Sequence, residues 1–350
     1  MQKNDNLNEN KANGKNSSFF DLAVLLLNNL PERSREIIKK RYGLSNSKPE
    51  TLEKIGKDYG ITRERVRQII ADSVRKISKL AALQEFNIAE EKIILEIDGR
   101  NGIISDKELA EIFGSSQKES NAVRFFATCS AKIFETEEKG LIALSWTTSE
   151  DVVKKIKEFA GIVKEVLIAA GKPLTEKELM GSISVDKGYS ESQIVNYLKV
   201  LAEIAKNRFE KWGFAGWMEI NPKGTREKIY LILKEKKVPL HFTEIAVLID
   251  KSGISKKKSH PQTVHNELIK DERFILIGRG IYALKEWGYA SGTIKDVLED
   301  ILTKSGKPMT KEEILEEVTK ARRVKRATVM INLNNNRKFI KKDNKYSLKR

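Results

Sequence analysis

From residue 19 onward, apolar positions recur mostly at three- and four-residue spacing, the period of an amphipathic helix. The sharpest case is Val66, Ile69, Ile70, Val74 and Ile77, which fall in one sector at 100° per residue. Glu64, Gln68 and Arg75 lie opposite, and Arg63 and Arg67 flank the apolar sector near the helix start. Alternation is confined to short stretches. Phe274 to Ile277 and Ile281 to Leu284 surround Gly278-Arg279-Gly280, and Phe339-Ile340 and Tyr346 to Leu348 surround Asp343-Asn344. Alternating apolar residues about a Gly or Asn turn predict β-hairpins.

Helix-start signals recur at a fixed distance. Ser105/Glu108, Thr175/Glu178 and Thr310/Glu313 have the spacing of a capping box, in which a hydroxyl accepts the N3 amide and the Glu reaches back. The copy between the last two, third in chain order, keeps Glu244 but places His241 at the cap; the successive spacings from Ser105 to Thr310 are 70, 66 and 69 residues. Downstream, Ile194/Leu198, Val264/Leu268 and Val329/Leu333 supply apolar pairs at i,i+4, and a hairpin follows. Three helices plus a hairpin in under about 70 residues read as a winged helix-turn-helix.

Charge changes the picture from architecture to partner. The chain has 350 residues, 65 Lys and Arg against 49 Asp and Glu, and a net charge of +16. Residues 1–85 carry +6, 86–149 −4, 150–222 0, 223–291 +6 and 292–350 +8. A polyanion is expected to touch the two ends and not the middle. Residues 1–18 are rich in Asn and Lys and read as a disordered tail. The expected divisions are 19–85, a helix-turn-helix, and repeats at 86–149, 150–222, 223–291 and 292–350.

One Cys and three His leave little for thiol, imidazole or metal chemistry. His260 and His265 lie off the i,i+4 spacing of helical metal pairs, Cys129 reads as a small core residue, and Gly278-x-Gly280 lacks the context of a nucleotide loop. Trp212, Trp217 and Trp287 fall at hairpins and read as core. The expectation is no catalytic residue, no cofactor, no metal and no small-molecule substrate. No apolar run reaches the ~20 residues of a membrane span, and a cytoplasmic location with no membrane partner is expected.

Residues 31–80 carry the most specific pattern. Pro31 opens a helix with Ile37, Ile38 and Tyr42 as its apolar stripe; Thr51 and Gly60 bracket the next, and Thr62 caps the third. The words Leu52-Glu-Lys-Ile-Gly56, Thr62-Arg-Glu-Arg-Val-Arg-Gln-Ile69 and Val74-Arg-Lys-Ile77 closely resemble region 4 of the sigma-70 class of initiation factors. That resemblance implies that the third helix reads a −35 promoter element and that the domain docks on bacterial-type RNA polymerase. Carried over by position, Arg63, Glu64, Arg67 and Gln68 are base or phosphate contacts; Thr62 and Arg75 join them as candidates at the two ends of the helix. Arg suits guanine, Gln adenine and Glu cytosine N4. Ile70 stands where the family usually has Glu. No aromatic strand-melting segment precedes residue 19, so a complete sigma factor is not expected.

Residues 226–289 resemble the HARE-HTH family, as in the delta subunit of bacterial RNA polymerase, through Ile232 to Pro239, Asp271 to Phe274 and Gly278 to Trp287. That resemblance implies a winged-helix module tied to transcription, chromatin or restriction systems. Lys256, Lys257 and Lys258 precede its last helix, and Arg322, Arg323, Lys325 and Arg326 precede the corresponding helix of the final repeat. These sit where a winged helix approaches a phosphate backbone. The expected fold class is mainly α: a region 4-like helix-turn-helix followed by up to four tandem winged-helix modules with small hairpin wings. The expected function is double-stranded DNA binding in transcription. The alternatives are a polymerase- or protein-binding scaffold and a DNA reader of a restriction or defence system.

Overall fold

The computed structural model describes residues 18–45, 48–79, 84–289, 292–321, 324–334 and 338–349. The tail up to residue 17, Arg322, Arg323 and Arg337 lie outside them. The protein is mainly helical with small antiparallel sheets. It divides into two compact units, 1–205 and 206–350.

The first unit opens with α1 (Phe19–Leu27), α2 (Glu32–Tyr42), α3 (Leu52–Tyr59) and α4 (Arg63–Ser78). After these, one order of elements recurs four times among the described residues: helix, short strand, two helices, two strands. The first set is α5 (Gln84–Asp98), β1 (Ile103–Ser105), α6 (Asp106–Phe113), α7 (Gln117–Cys129), β2 (Phe134–Glu138) and β3 (Ile142–Thr147). The second is α8 (Glu150–Ala170), β4 (Leu174–Thr175), α9 (Glu176–Lys187), α10 (Glu191–Val200), β5 (Ile204–Lys206) and β6 (Lys211–Phe214). The boundary between the units falls inside β5.

The third set is α11 (Thr225–Lys236), β7 (Leu240–His241), α12 (Phe242–Ser252), α13 (Pro261–Lys270), β8 (Phe274–Gly278) and β9 (Ile281–Leu284). The fourth is α14 (Ile294–Ser305), β10 (Met309–Thr310), α15 (Lys311–Ala321), α16 (Arg326–Asn334), β11 (Phe339–Lys342) and β12 (Lys345–Leu348). In the first, third and fourth sets the last strand lies in the middle of its sheet, between the isolated first strand and its own hairpin partner. The expected turn at Asp343-Asn344 is present, with φ of 47° and 58°. Two successive left-handed residues match the twist of the flanking strands, and Asp and Asn tolerate that conformation better than most residues.

The capping signals divide. Thr175/Glu178 and Thr310/Glu313 close in both directions. Ser105 caps α6, but the Glu108 carboxylate is drawn to Arg100 and Lys199 instead of reaching back. His241 accepts from the amide of Thr243, so an imidazole does the work of the hydroxyl.

The helix-turn-helix and the first set share one core. Leu22, Leu26, Ile38, Ile77, Phe86, Ile93, Phe125, Phe126 and Trp146 belong to a single buried cluster. Tyr42 meets Phe125 edge-on at 5.0 Å. Asn121, buried on α7, donates its amide to the carbonyl of Gly43 at 3.1 Å. Ile70 is packed against this cluster and against the small core of Ile37, Ile55 and Val66. An aliphatic side chain therefore suits the position that carries Glu in the resembling family.

Candidate nucleic-acid interface

The turn between α3 and α4 is set by two glycines. Gly60 ends α3 at φ +63°, in the left-handed region that favours glycine. At Gly56 any Cβ would meet the carbonyl of Ile61 at 2.7 Å, so only glycine lets the turn fold back on α3. Thr51 and Thr62 cap the two helices through the amides of Lys54 and Arg65. Ile37, Ile55 and Val66 clamp α2, α3 and α4 together.

This arrangement turns one face of α4 outward. Val66, Ser73 and Ile77 are buried, whereas Arg63, Glu64, Arg65, Arg67 and Gln68 are exposed on the first two turns. Arg67 grips Glu64 bidentately, at 2.9 and 3.1 Å from Nε and 2.7 Å from Nη2. The hydrogen bond and charge of Arg67 hold the Glu64 carboxyl below its ordinary range. Arg65 donates to Gln68 Oε1 at 3.2 Å. Arg63 makes no ion pair or hydrogen bond among the described residues. The Thr62 hydroxyl is engaged as the cap. Arg75 sits near Asp72 at 3.6 Å, roughly 18 Å from Arg63 at 1.5 Å rise per residue.

Arg65 was not among the residues singled out from sequence. It borders the apolar sector on the side away from Arg63 and Arg67, and with Lys57 it lines a shallow cleft at the turn between α3 and α4. Its place in the first turn of the helix was the available signal. Ser73 was missed as well; its hydroxyl donates to the carbonyl of Ile69, which lets a polar residue sit in the buried sector.

The other candidates belong to the second unit. Lys256, Lys257 and Lys258 are exposed in the loop between α12 and α13. Lys325 and Arg326 are exposed at the start of α16, and Arg326 lies 3.8 Å from Glu312. His265 is packed between Phe242 and Tyr282. Cys129 is fully buried, which pushes its thiol up, away from the reactive thiolate. No group of His, Cys, Asp and Glu with metal-holding geometry occurs among the described residues. No helix among them is long and apolar enough to cross a membrane.

Residues 26–79 match the family described as Sigma-70, region 4. The stretch covers α2, α3 and α4, the three helices that orient the outward face. RNA polymerase principal sigma factor HrdD of Streptomyces viridifaciens is 41% identical over 64 residues, 18% of this chain and 19% of that protein. RNA polymerase sigma factor SigA of a Bacillus species is 41% identical over 64 residues, 17% of each protein. SigA of Clostridium acetobutylicum is 42% identical over 52 residues, 15% of this chain and 14% of that protein. The match thus spans less than a fifth of these relatives' own length.

Proposed function

We propose that this chain is a double-stranded DNA-binding transcription factor that works with bacterial-type RNA polymerase. The observation that carries the reading is the outward face of α4. It presents Arg63, the Arg65–Gln68 pair and the Glu64–Arg67 pair on a segment that matches sigma-70 region 4. Side chains with forked donors and acceptors on the first turns of an exposed helix suit base edges in the major groove. Thr62 and Arg75, at the two ends of α4, serve the flanking phosphates.

The four recurring sets are read as tandem winged helices over 86–149, 150–222, 223–291 and 292–350, the third of them HARE-HTH-like. Lys256 to Lys258, Lys325 and Arg326 contact the phosphate backbone, with Arg322 and Arg323 assigned the same role from sequence. Nearly all of the net charge, +15 of +16, lies in residues 206–350. The reading involves no catalysed reaction, metal, cofactor or small-molecule substrate.

Binding to a duplex carrying a −35-like element is measured by fluorescence anisotropy across a salt series. Affinity should fall steeply with salt, as counterions are released from several phosphates. A flat salt response would overturn the reading. Core polymerase should be retained by the tagged chain from nuclease-treated lysate, yet should not initiate on a linear template with this chain as its only factor. Retention on DNA without polymerase would favour a DNA reader of a restriction or defence system. Retention of polymerase without DNA binding would favour a scaffold.

A further inference from the structure

The four sets place one helix each at the same point of their order: α7, α10, α13 and α16. Three of these have no free reading face. In α7 seven of thirteen residues are buried, Asn121, Ala122, Val123, Phe125, Phe126, Ala127 and Cys129. In α10 the polar groups are occupied: Gln193 closes a capping box, Asn196 donates to Asn101 at 2.8 Å, and Lys199 pairs with Glu108 at 2.9 Å. In α16 the stripe opposite Val329 and Leu333 holds Ala327 and Ile331, and both of the helix's amides are engaged: Asn332 donates to the carbonyl of Thr328 at 2.8 Å and Asn334 accepts from the Tyr346 hydroxyl at 3.0 Å.

Helix α13 differs. Val264 and Leu268 form its buried side. Gln262, Asn266 and Ile269 lie in one stripe opposite, spaced four and three residues apart, which is one face of a helix. All three are exposed, and Ile269 is 64% exposed. Gln262 Nε2 donates to Asn266 Oδ1 at 3.2 Å. That bond leaves Gln262 Oε1 and both Asn266 amide hydrogens directed to no partner among the described residues. Glu267 on the helix pairs with Arg226 and Asp271 at its end pairs with Arg273, while Glu272 just beyond it is exposed. Lys256, Lys257 and Lys258 stand exposed in the loop that leads into Pro261, the first residue of the helix.

We infer that α13 is a second base-reading helix, selective for A·T pairs in duplex DNA. The inference rests on the duplex-binding reading above. A carboxamide offers one acceptor and one donor, the complement of adenine N6 and N7, and an aliphatic side chain on the same stripe suits the thymine methyl. The three lysines hold the backbone beside it without reading sequence.

The test is selection of bound duplexes from a randomised library by the full-length chain. The comparison is with the double variant Gln262→Ala, Asn266→Ala, with Arg63→Ala, Gln68→Ala, and with Lys256→Ala, Lys257→Ala, Lys258→Ala. The wild type should enrich two elements. The amide variant should lose the A·T-containing one, with affinity for it down about tenfold per lost bidentate contact. It should keep the α4-dependent element and the wild-type unfolding midpoint, since both side chains are exposed. The lysine variant should weaken all sequences alike. Enrichment of the same elements by wild type and amide variant overturns the inference and leaves the α4 reading standing. Enrichment of nothing by the wild type overturns both.

Discussion

Helices α4 and α7 are alike as local structures: each is amphipathic, and each is capped by a hydroxyl, Thr62 on the amide of Arg65 and Ser116 on that of Glu119. They differ in how much of the circumference is buried. On α4 the buried residues form one sector and the rest faces solvent. On α7 the burial runs round the helix, because α1, α2 and α4 cover the side that its own set leaves open. The same element can therefore read a partner or hold a neighbour. Which one it does is decided by what packs against it.

The largest test of that contrast is Phe126→Ala. Phe126 is fully buried, stacks on Phe86 at 4.6 Å and meets Phe19 edge-on at 5.7 Å. Truncation should cost about 3–5 kcal/mol, read from equilibrium denaturant unfolding. Because Phe19 belongs to α1 and Phe86 to α5, protection of the α1 amides from hydrogen exchange should fall with it. Full protection in α1 would mean that the helix-turn-helix stands without α7.

Next in size is Asn121→Ala. Its amide nitrogen holds the carbonyl of Gly43, the left-handed residue that ends α2, and its oxygen accepts from Gln117 at 3.1 Å and Arg124 at 3.3 Å. Leaving the Gly43 carbonyl and these donors without it should cost about 1–3 kcal/mol. A smaller loss, within error of zero, would show that the apolar contacts alone fix α2 against α7.

These two residues also mark where the sequence stopped being informative. The outward face of α4 was legible because its apolar positions keep one period, and the caps and hairpin turns because each rests on local chemistry within three or four residues. The role of α7 was not. Ala122, Val123, Phe125, Phe126 and Ala127 spread round the helix, a pattern that marks burial on several sides but cannot say what does the burying. Glu108 was misjudged for the same reason: its partner Lys199 lies 91 residues away. Nor does the sequence alone say why Ile70 replaces the Glu of the resembling family; it packs on two cores at once, and one of them is built with α7.

On the α4 side the effects should move from stability to recognition. Arg63→Ala and Gln68→Ala remove exposed side chains, so unfolding midpoints should stay near wild type. Each should cost about 1–3 kcal/mol of discrimination between the preferred duplex and one altered at the contacted pair. Competition binding at fixed salt measures this. Equal loss on both duplexes would reassign the residue to phosphate contact, and no loss on either would make α4, like α7, a helix that only packs.

The smallest effect is expected at Glu64, and it separates an interface from a merely solvated helix face. Arg67 lowers the Glu64 carboxyl, first by hydrogen bond and then by charge. A carboxyl lowered in the folded state contributes stability that is fully present above the ordinary value of 4.5 and is lost as pH falls through the folded value. Between neutrality and about pH 5 the pair should therefore stay ionised, and this ion pair should add no pH dependence to binding. The pair is exposed and screened by solvent, so Glu64→Gln should move the unfolding midpoint least of all these variants. Its effect on DNA should be of another kind. Removing one negative charge and loosening Arg67 should raise affinity for a scrambled duplex, while the preference for the selected duplex shrinks because the neutral carboxamide oxygen is a weaker acceptor for cytosine N4 than the carboxylate. Anisotropy titrations on both duplexes at matched salt read the two changes separately. If neither affinity moves, Glu64 and Arg67 form a solvated i,i+3 pair outside the interface, and the reading face of α4 contracts to Arg63, Arg65 and Gln68.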